Sequence, residues 1–389
     1  MNVHPLSPLP FSPRRRLLAA LVGSTCLVAF NAQAGGSISF GPDKSVDIGL
    51  GMRASLTFTE NGAANGTSDS TDFNLDSIRL FTNASLSKTI KGTFNVEKGA
   101  NNDAQVMDAI ARFEFSDELN VWLGRMLPPS DRANLDGPYY LSAWYYPGVV
   151  SQYPAKFAGR DDGMTVWGKL ADKKLVYSVG AFQGHNRIAG ASNDSGNPLF
   201  AGRLQYNFRD AEPNPAYYTS STYYGGAEVL ALSLAGMLQK DGVGTSAVKG
   251  DYKAWSLDAL MEHKLAGGGV VDLEGAYYKY DTQGVADVAP GFGGAGAIAN
   301  VGGITQGKGW LAGGAYLIPA QVGGGKFQPY VRFQNFKADL TKVTSKQSDY
   351  GVNYILDGHN ARLSATYTTN EQTALKDSHK FVVGVQLQF

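Results

Sequence analysis

The stretch that most constrains this chain is its last. From Lys380 onward, Phe381, Val383, Val385, Leu387 and Phe389 take every second position, with Gly384, Gln386 and Gln388 between them. An extended segment of this period shows one apolar and one mostly polar face. The same alternation appears near the other end, where Val46, Ile48, Leu50, Met52, Ala54, Leu56 and Phe58 interleave with Asp47, Gly49, Gly51, Arg53, Ser55 and Thr57. A sheet of such strands closed on itself is apolar outside and polar inside and has no open edge, and a terminal Phe fits its interfacial aromatic girdle. A soluble sandwich would bury the apolar series and leave the interleaved residues solvated. Here the interleaved set mixes arginines, carboxylates and glycines on successive strands, which suits a lumen.

The rhythm runs through the chain. It predicts strands near 46–58, 78–86, 93–98, 106–115, 119–126, 163–170, 175–184, 199–208, 227–239, 252–264, 270–281, 309–318, 327–337, 350–356, 361–369 and 379–389. That is an all-β, transmembrane antiparallel β-barrel of about sixteen strands, with long extracellular loops and short periplasmic turns. Short turns fall at Ser116–Glu118, Ala171–Lys174, Ala266–Gly269 and Asp357–Asn360, and slightly longer ones at Arg209–Ala216 and Pro319–Lys326. Long loops are expected at Glu60–Asp72, Leu127–Asp162 and Thr282–Lys308.

Two domains are expected. Arg14, Arg15 and Arg16, an apolar run from Leu17 to Phe30 and Ala32-Gln33-Ala34 have the three parts of a cleaved secretory signal over residues 1–34, leaving a barrel domain over 35–389. The only cysteine, Cys26, lies in the leader, so the exported part has no disulfide or thiolate ligand. The leader holds three arginines and no acid, so the balanced 34 basic and 34 acidic residues become a formal charge near −3, a balance that gives no sign of a nucleic-acid partner, and none is expected. No apolar run after the leader is long enough for a spanning helix.

Several patches on these strands resemble the family of phosphate-selective porins O and P. They are Met107–Phe115 leading to Leu123-Gly124-Arg125 and Pro128-Pro129, Val179–Gly184, Leu257–Glu262, Leu273–Tyr277, Gly314–Pro319, Phe327–Phe333, Val352–Tyr354 and Asp357–Leu363. The resemblance implies a sixteen-stranded barrel, trimeric, that passes small solutes across the outer membrane of a bacterial cell.

On the strand map the lumen receives Arg53, Arg79, Arg112, Arg203, Arg332 and Arg362 together with Asp47, Asp108, Glu114, Asp258, Glu262, Asp272 and Glu274. Rings of fixed charge set ion preference, and a guanidinium donates in a fork to phosphate or carboxylate oxygens. The alternative role for each arginine is a wall salt bridge. The loop at 127–162 is the expected constriction. It is too long for a hairpin link and too rich in rings for disorder. Its candidate residues are Arg132, Tyr139, Tyr140, Trp144, Tyr145, Lys156, Arg160 and Asp161. Its tyrosines either pack the loop to the wall or stack on a sugar or aromatic solute.

The expected function is passive diffusion of small polar or anionic solutes, phosphate or other oxyanions among them, through a homotrimer embedded in outer-membrane lipid. No cofactor is expected. The chain has no G-x-S-x-G, H-E-x-x-H or calcium-loop pattern, and Gly294–Ala299 reads as a loop rather than a dinucleotide motif. The competing classes are a barrel enzyme, for which His185, His263, His359 and His379 lie far apart in sequence, and a barrel sheathing a partner's cytochrome, since the chain lacks C-x-x-C-H.

Overall fold

A computed structural model describes residues 35–99, 103–152, 158–184, 186–187, 190–193, 195–287 and 304–389. The expected leader, residues 1–34, lies outside them. The elements are β1 (Gly36–Gly41), β2 (Lys44–Thr59), β3 (Ser70–Ser85), β4 (Ile90–Gly99), β5 (Gln105–Glu114), β6 (Asn120–Met126), α1 (Arg132–Asp136), β7 (Asp161–Leu170), β8 (Leu175–Phe182) and β9 (Leu199–Asn207). They continue with β10 (Val229–Gly244), β11 (Lys249–Lys264), β12 (Val270–Asp281), β13 (Gly307–Leu317), β14 (Gln321–Val322), β15 (Gly325–Ala338), β16 (Thr344–Asp357), β17 (Ala361–Gln372) and β18 (Ser378–Gln388).

Each strand pairs antiparallel with the next, and β18 returns to β2, so sixteen strands form a closed ring. Two short strands stand outside it: β1 folds back on the first residues of β2, and β14 is a two-residue ribbon against β15. At the seam Gln386 lies opposite Arg53 and Phe381 opposite Phe58. Leu50 and Phe389 exchange backbone hydrogen bonds of 2.9 and 2.8 Å, so the last residue is part of the closure.

The period of two explains the ring's two faces. In β18, Val382, Gly384, Gln386 and Gln388 are buried, while Phe381 and Val383, and Phe389 just past its end, are exposed. In β2, Arg53, Ser55 and Thr57 point inward and Leu50 and Phe58 outward. The outward faces of the other strands carry Leu80, Leu123, Val179, Leu204, Leu234, Leu257, Leu273, Val331 and Leu363 in the same exposed condition. A closed sheet satisfies its backbone internally and offers lipid only side chains, the condition for crossing a bilayer.

Some boundaries differ from the sequence expectation. β3 begins at Ser70, so the first loop is shorter than Glu60–Asp72. β10 and β11 run on to a tight turn at Thr245–Val248, where Thr245 N donates to Val248 O at 2.9 Å. The polar residues Lys240, Asp241 and Asp251 read as loop, but a hairpin standing beyond the bilayer has no need of an apolar face. The loop between β6 and β7, expected at 127–162 and third in order among those at the long-loop end, ends one residue before Asp161, which opens β7. The largest correction is the expected turn Arg209–Ala216: the connection from β9 to β10 spans 208–228, and much of it is buried.

Candidate functional site

The loop between β6 and β7 turns into the ring. Leu127, Leu135, Tyr139, Trp144 and Val150 are each at most 2% exposed. Three arginines expected on the pore face hold this loop by its backbone. Arg53 donates to Trp144 O at 2.5 Å with its guanidinium 4.0 Å from a Trp144 ring centroid, Arg362 donates to Leu141 O at 2.5 Å, and Arg203 donates to Ser130 O at 3.0 Å. Gln386 of the closing strand donates to Tyr139 O at 3.0 Å. The seam also clears space for the rings. A Cβ at Gly384 would stand 2.5 Å from the Trp144 ring, and one at Gly51 3.0 Å from Tyr139. Tyr139 Oη lies 3.0 Å from Ser77 Oγ, and Lys380 Nζ lies 5.0 Å from the Tyr145 ring centroid.

The 208–228 connection enters from the end of the ring where the short turns lie and meets the third loop inside. Arg132 in α1 binds Glu212 in a fork at 2.9 and 2.6 Å and donates to Ser220 O at 3.0 Å. Tyr217 Oη donates to Leu127 O at 2.7 Å, Ser221 N to Tyr140 O at 3.1 Å, and Ser142 N to Ser221 Oγ at 2.6 Å. On the wall, Glu262 accepts from Tyr223 N at 2.5 Å and Gly225 N at 2.6 Å, and Trp122 packs on Tyr217 and Tyr218 with centroids 5.7 and 5.9 Å apart. Loop and connection thus form one partition that occupies the lumen along β9 to β18 and reaches β2 at Arg53 and β6 at Trp122.

Several acids expected on the pore face serve this partition. Asp258 accepts both Arg203 amino groups at 2.6 and 2.8 Å and the Arg132 amide at 3.2 Å. Asp272 accepts from Thr222 Oγ1 and Gln328 Nε2, both at 3.2 Å. Glu274 is half-buried and lines a small cavity with Ser142 and Arg332, and Arg332 itself donates to Asp349 at 2.9 Å. In the loop, burial pushes the Asp131 carboxyl up to about 6 although Ser151 donates to it, and burial drives Asp136 well above the carboxylate range against the pull of Arg132.

The opposite side of the lumen, along β2 to β6, holds a cavity of about 550 Å³ lined by Arg79, Lys91, Asp108, Arg112, Arg160 and the rings of Phe81, Trp122, Tyr140 and Tyr218, with Asp47 at its mouth. Every cation there has a carboxylate: Arg79 with Glu97 at 2.8 Å, Lys91 and Arg112 with Glu114 at 2.8 and 2.6 Å, and Arg160 with Asp108 at 3.1 Å. Asp161 accepts Gly184 N at 2.6 Å at the base of the loop. Of the candidate residues, then, Arg79, Arg112, Asp108, Tyr140 and Arg160 come together on the cavity with Glu114 behind them. Arg53, Arg132, Arg203, Arg362, Asp258 and Glu262 hold the partition instead. Lys156, with Tyr153 and Phe157, lies outside the described residues. Sequence reasoning missed Glu212 and the run Tyr217–Tyr224; its one signal was a density of rings and hydroxyls matching that of the third loop.

This arrangement defines a class, the outer-membrane porin fold: a closed sixteen-strand antiparallel ring with a loop folded into its lumen. Comparison with solved structures agrees. An anion-selective porin from Comamonas acidovorans superposes with a TM-score of 0.60 at 13% identity, over 89% of this chain and 100% of that one. OmpF of Salmonella typhi, in complex with daunomycin, gives 0.59 at 12%, over 91% and 100%, and OprB of Pseudomonas putida 0.59 at 9%, over 88% and 94%. No family model and no curated protein matches the sequence.

Proposed function

We propose that this chain is an outer-membrane porin, exported by the leader at 1–34, that conducts small polar or anionic solutes by passive diffusion as a homotrimer. The observation that carries the reading is the charged cavity left open between the wall of β2 to β6 and the internal partition. Its walls carry a row of fixed charges, each cation paired to a carboxylate beside it, and rings of fixed charge set ion preference. Arg79, Lys91, Arg112 and Arg160 are the donors for phosphate or another oxyanion, the solute class of the porin O and P family that the sequence resembles. A second reading, a channel for sugars or aromatic solutes, is favoured by Phe81, Trp122, Tyr140 and Tyr218 on the same cavity.

The test is planar-bilayer recording under a salt gradient. Open channels are expected, with a reversal potential that reports anion preference. A protein that inserts without opening channels would end the porin reading. Millimolar phosphate that blocks the current supports the oxyanion assignment, and block by sugars or aromatic solutes alone supports the second.

A further inference from the structure

One row of the sheet exterior has no use in conduction. Following the register around the ring, Val179 of β8 faces Gly202, Gly202 faces Gly236, Gly236 faces Trp255, Trp255 faces Lys279, Lys279 faces Lys308 and Lys308 faces Lys337. Directly opposed residues share a face, so all seven project outward from the ring. Three lysines side by side on neighbouring strands are a destabilising arrangement for a sheet left to itself. Asp339 offsets one of them, 2.9 Å from Lys279. Lys308 and Lys337 are exposed and make no ion pair among the described residues.

Next to these lysines the exterior is recessed. Gly202 and Gly236, paired across β9 and β10, have no side chains to fill the surface, and Phe200, Leu238 and Trp255 stand around them, 56%, 56% and 46% exposed. The result is an outward-facing apolar groove of about 810 Å³ that has Lys253, Lys279 and Asp281 at its rim. Both features lie toward the long-loop ends of their strands, next to Trp255 and Tyr277, whose rings sit 5.5 Å apart. Paired aromatic rings on a barrel exterior mark the depth of the membrane interface.

We propose that this face binds a phosphorylated, acylated lipid of the leaflet on the long-loop side. An acyl chain lies in the groove over Gly202 and Gly236, and the phosphate is held by Lys279, Lys308 and Lys337. A free phosphate ion satisfies the lysines but leaves the apolar groove without an occupant. A second copy of this chain would set three lysines against three, with only Asp281 and Asp339 as countercharge and Asp339 already paired, so charge complementarity selects the lipid.

The experiment is native mass spectrometry of the detergent-purified barrel titrated with phosphatidic acid, with phosphatidylcholine of the same chains, and with inorganic phosphate. Wild-type protein is expected to retain phosphatidic acid preferentially. Replacing all three lysines (K279Q, K308Q, K337Q) is expected to weaken that binding roughly a hundredfold, since each lysine near an anionic lipid surface contributes about a factor of five. Gly236→Leu, which fills the groove, is expected to weaken both acylated ligands and leave phosphate untouched. All these side chains face outward, so heat-modifiable gel mobility is expected to match wild type in every variant. Equal retention of phosphatidic acid by wild type and the triple variant overturns the proposal. So does inorganic phosphate displacing the lipid at equal concentration, or loss of oligomer rather than of lipid in the Gly236→Leu variant.

Discussion

The fork between Arg132 and Glu212 joins the two halves of the internal partition, and its removal has consequences that can be worked out. Arg132 is 1% exposed and Glu212 6%. In a Glu212→Ala variant the guanidinium cannot discharge by losing a proton. Of its remaining carboxylates, Asp258 lies 3.5 Å from Arg132 Nε and is already engaged by Arg203 at 2.6 and 2.8 Å, and burial drives Asp136 toward its neutral form. Breaking a buried pair by removing one partner costs about 3 to 5 kcal/mol. The closed ring does not depend on this contact, so the loss falls on the docking of 208–228 against the third loop. It shifts the ratio of docked to displaced partition by roughly two to four powers of ten. In single-channel recordings, wild type is expected to give quiet openings of one amplitude, and Glu212→Ala noisy openings with added larger levels as the lumen beside β9 to β18 becomes available. A disulfide between Ser142→Cys and Ser221→Cys, whose hydroxyl oxygens lie 3.2 Å apart, is expected to restore quiet openings in the variant until it is reduced. Openings of unchanged amplitude and noise in Glu212→Ala would refute the reasoning.

Other consequences concern charge, fit and pH. Arg79→Ala and Arg112→Ala, both on the cavity, are expected to move the reversal potential toward cations, whereas Arg332→Ala, paired to Asp349 away from the cavity, is expected to leave it in place. Gly384→Ala sets a Cβ 2.5 Å from the Trp144 ring. A cost of about 1 to 3 kcal/mol is expected for overpacking, read as a lower temperature of heat-modified gel mobility and a change in Trp144 fluorescence. His359, in the turn between β16 and β17, has its pKa lowered from 6.5 to about 4 by burial and then by Arg362. Its contribution to stability is therefore complete above pH 6.5 and is lost as pH falls through that interval. The barrel's heat resistance is expected to drop between those values, and His359→Asn to flatten the change.

All sixteen strands of the ring were legible in the sequence because one physical constraint, lipid on one face and lumen on the other, writes a period of two into each of them. The constraint lapses beyond the bilayer. That is why the start of β3 at Ser70 and the extensions of β10 and β11 were read as loop. The third loop was legible from Tyr139, Tyr140, Trp144 and Tyr145. What these residues touch was not, because the contacts span great distances along the chain, from Arg53 to Trp144 and from Tyr139 to Gln386. Alternation places an arginine on the inner face and says nothing of its depth. Arg79 and Arg112 pair with carboxylates on the wall of a cavity, while Arg53, Arg203 and Arg362 meet a loop backbone. The 208–228 connection was hidden for a related reason. Polar residues such as Ser220, Ser221 and Thr222 look like a solvated turn until a second polar surface is available to bind them.

In the proposed porin, water and solutes pass along the wall of β2 to β6 and not through the filled side of the lumen. Because Cys26 in the leader is the chain's only cysteine, single cysteines can be placed cleanly in the barrel domain. Thr93 lines the open cavity, whereas Ser364, 3% exposed, donates to Asn353 Oδ1 at 2.7 Å behind the partition. The decisive measurement is single-channel current before and after a water-soluble, charged thiol reagent is added to Thr93→Cys and to Ser364→Cys. That path requires a stepwise fall in current for Thr93→Cys and no change for Ser364→Cys. Block at Ser364→Cys with Thr93→Cys untouched would contradict it.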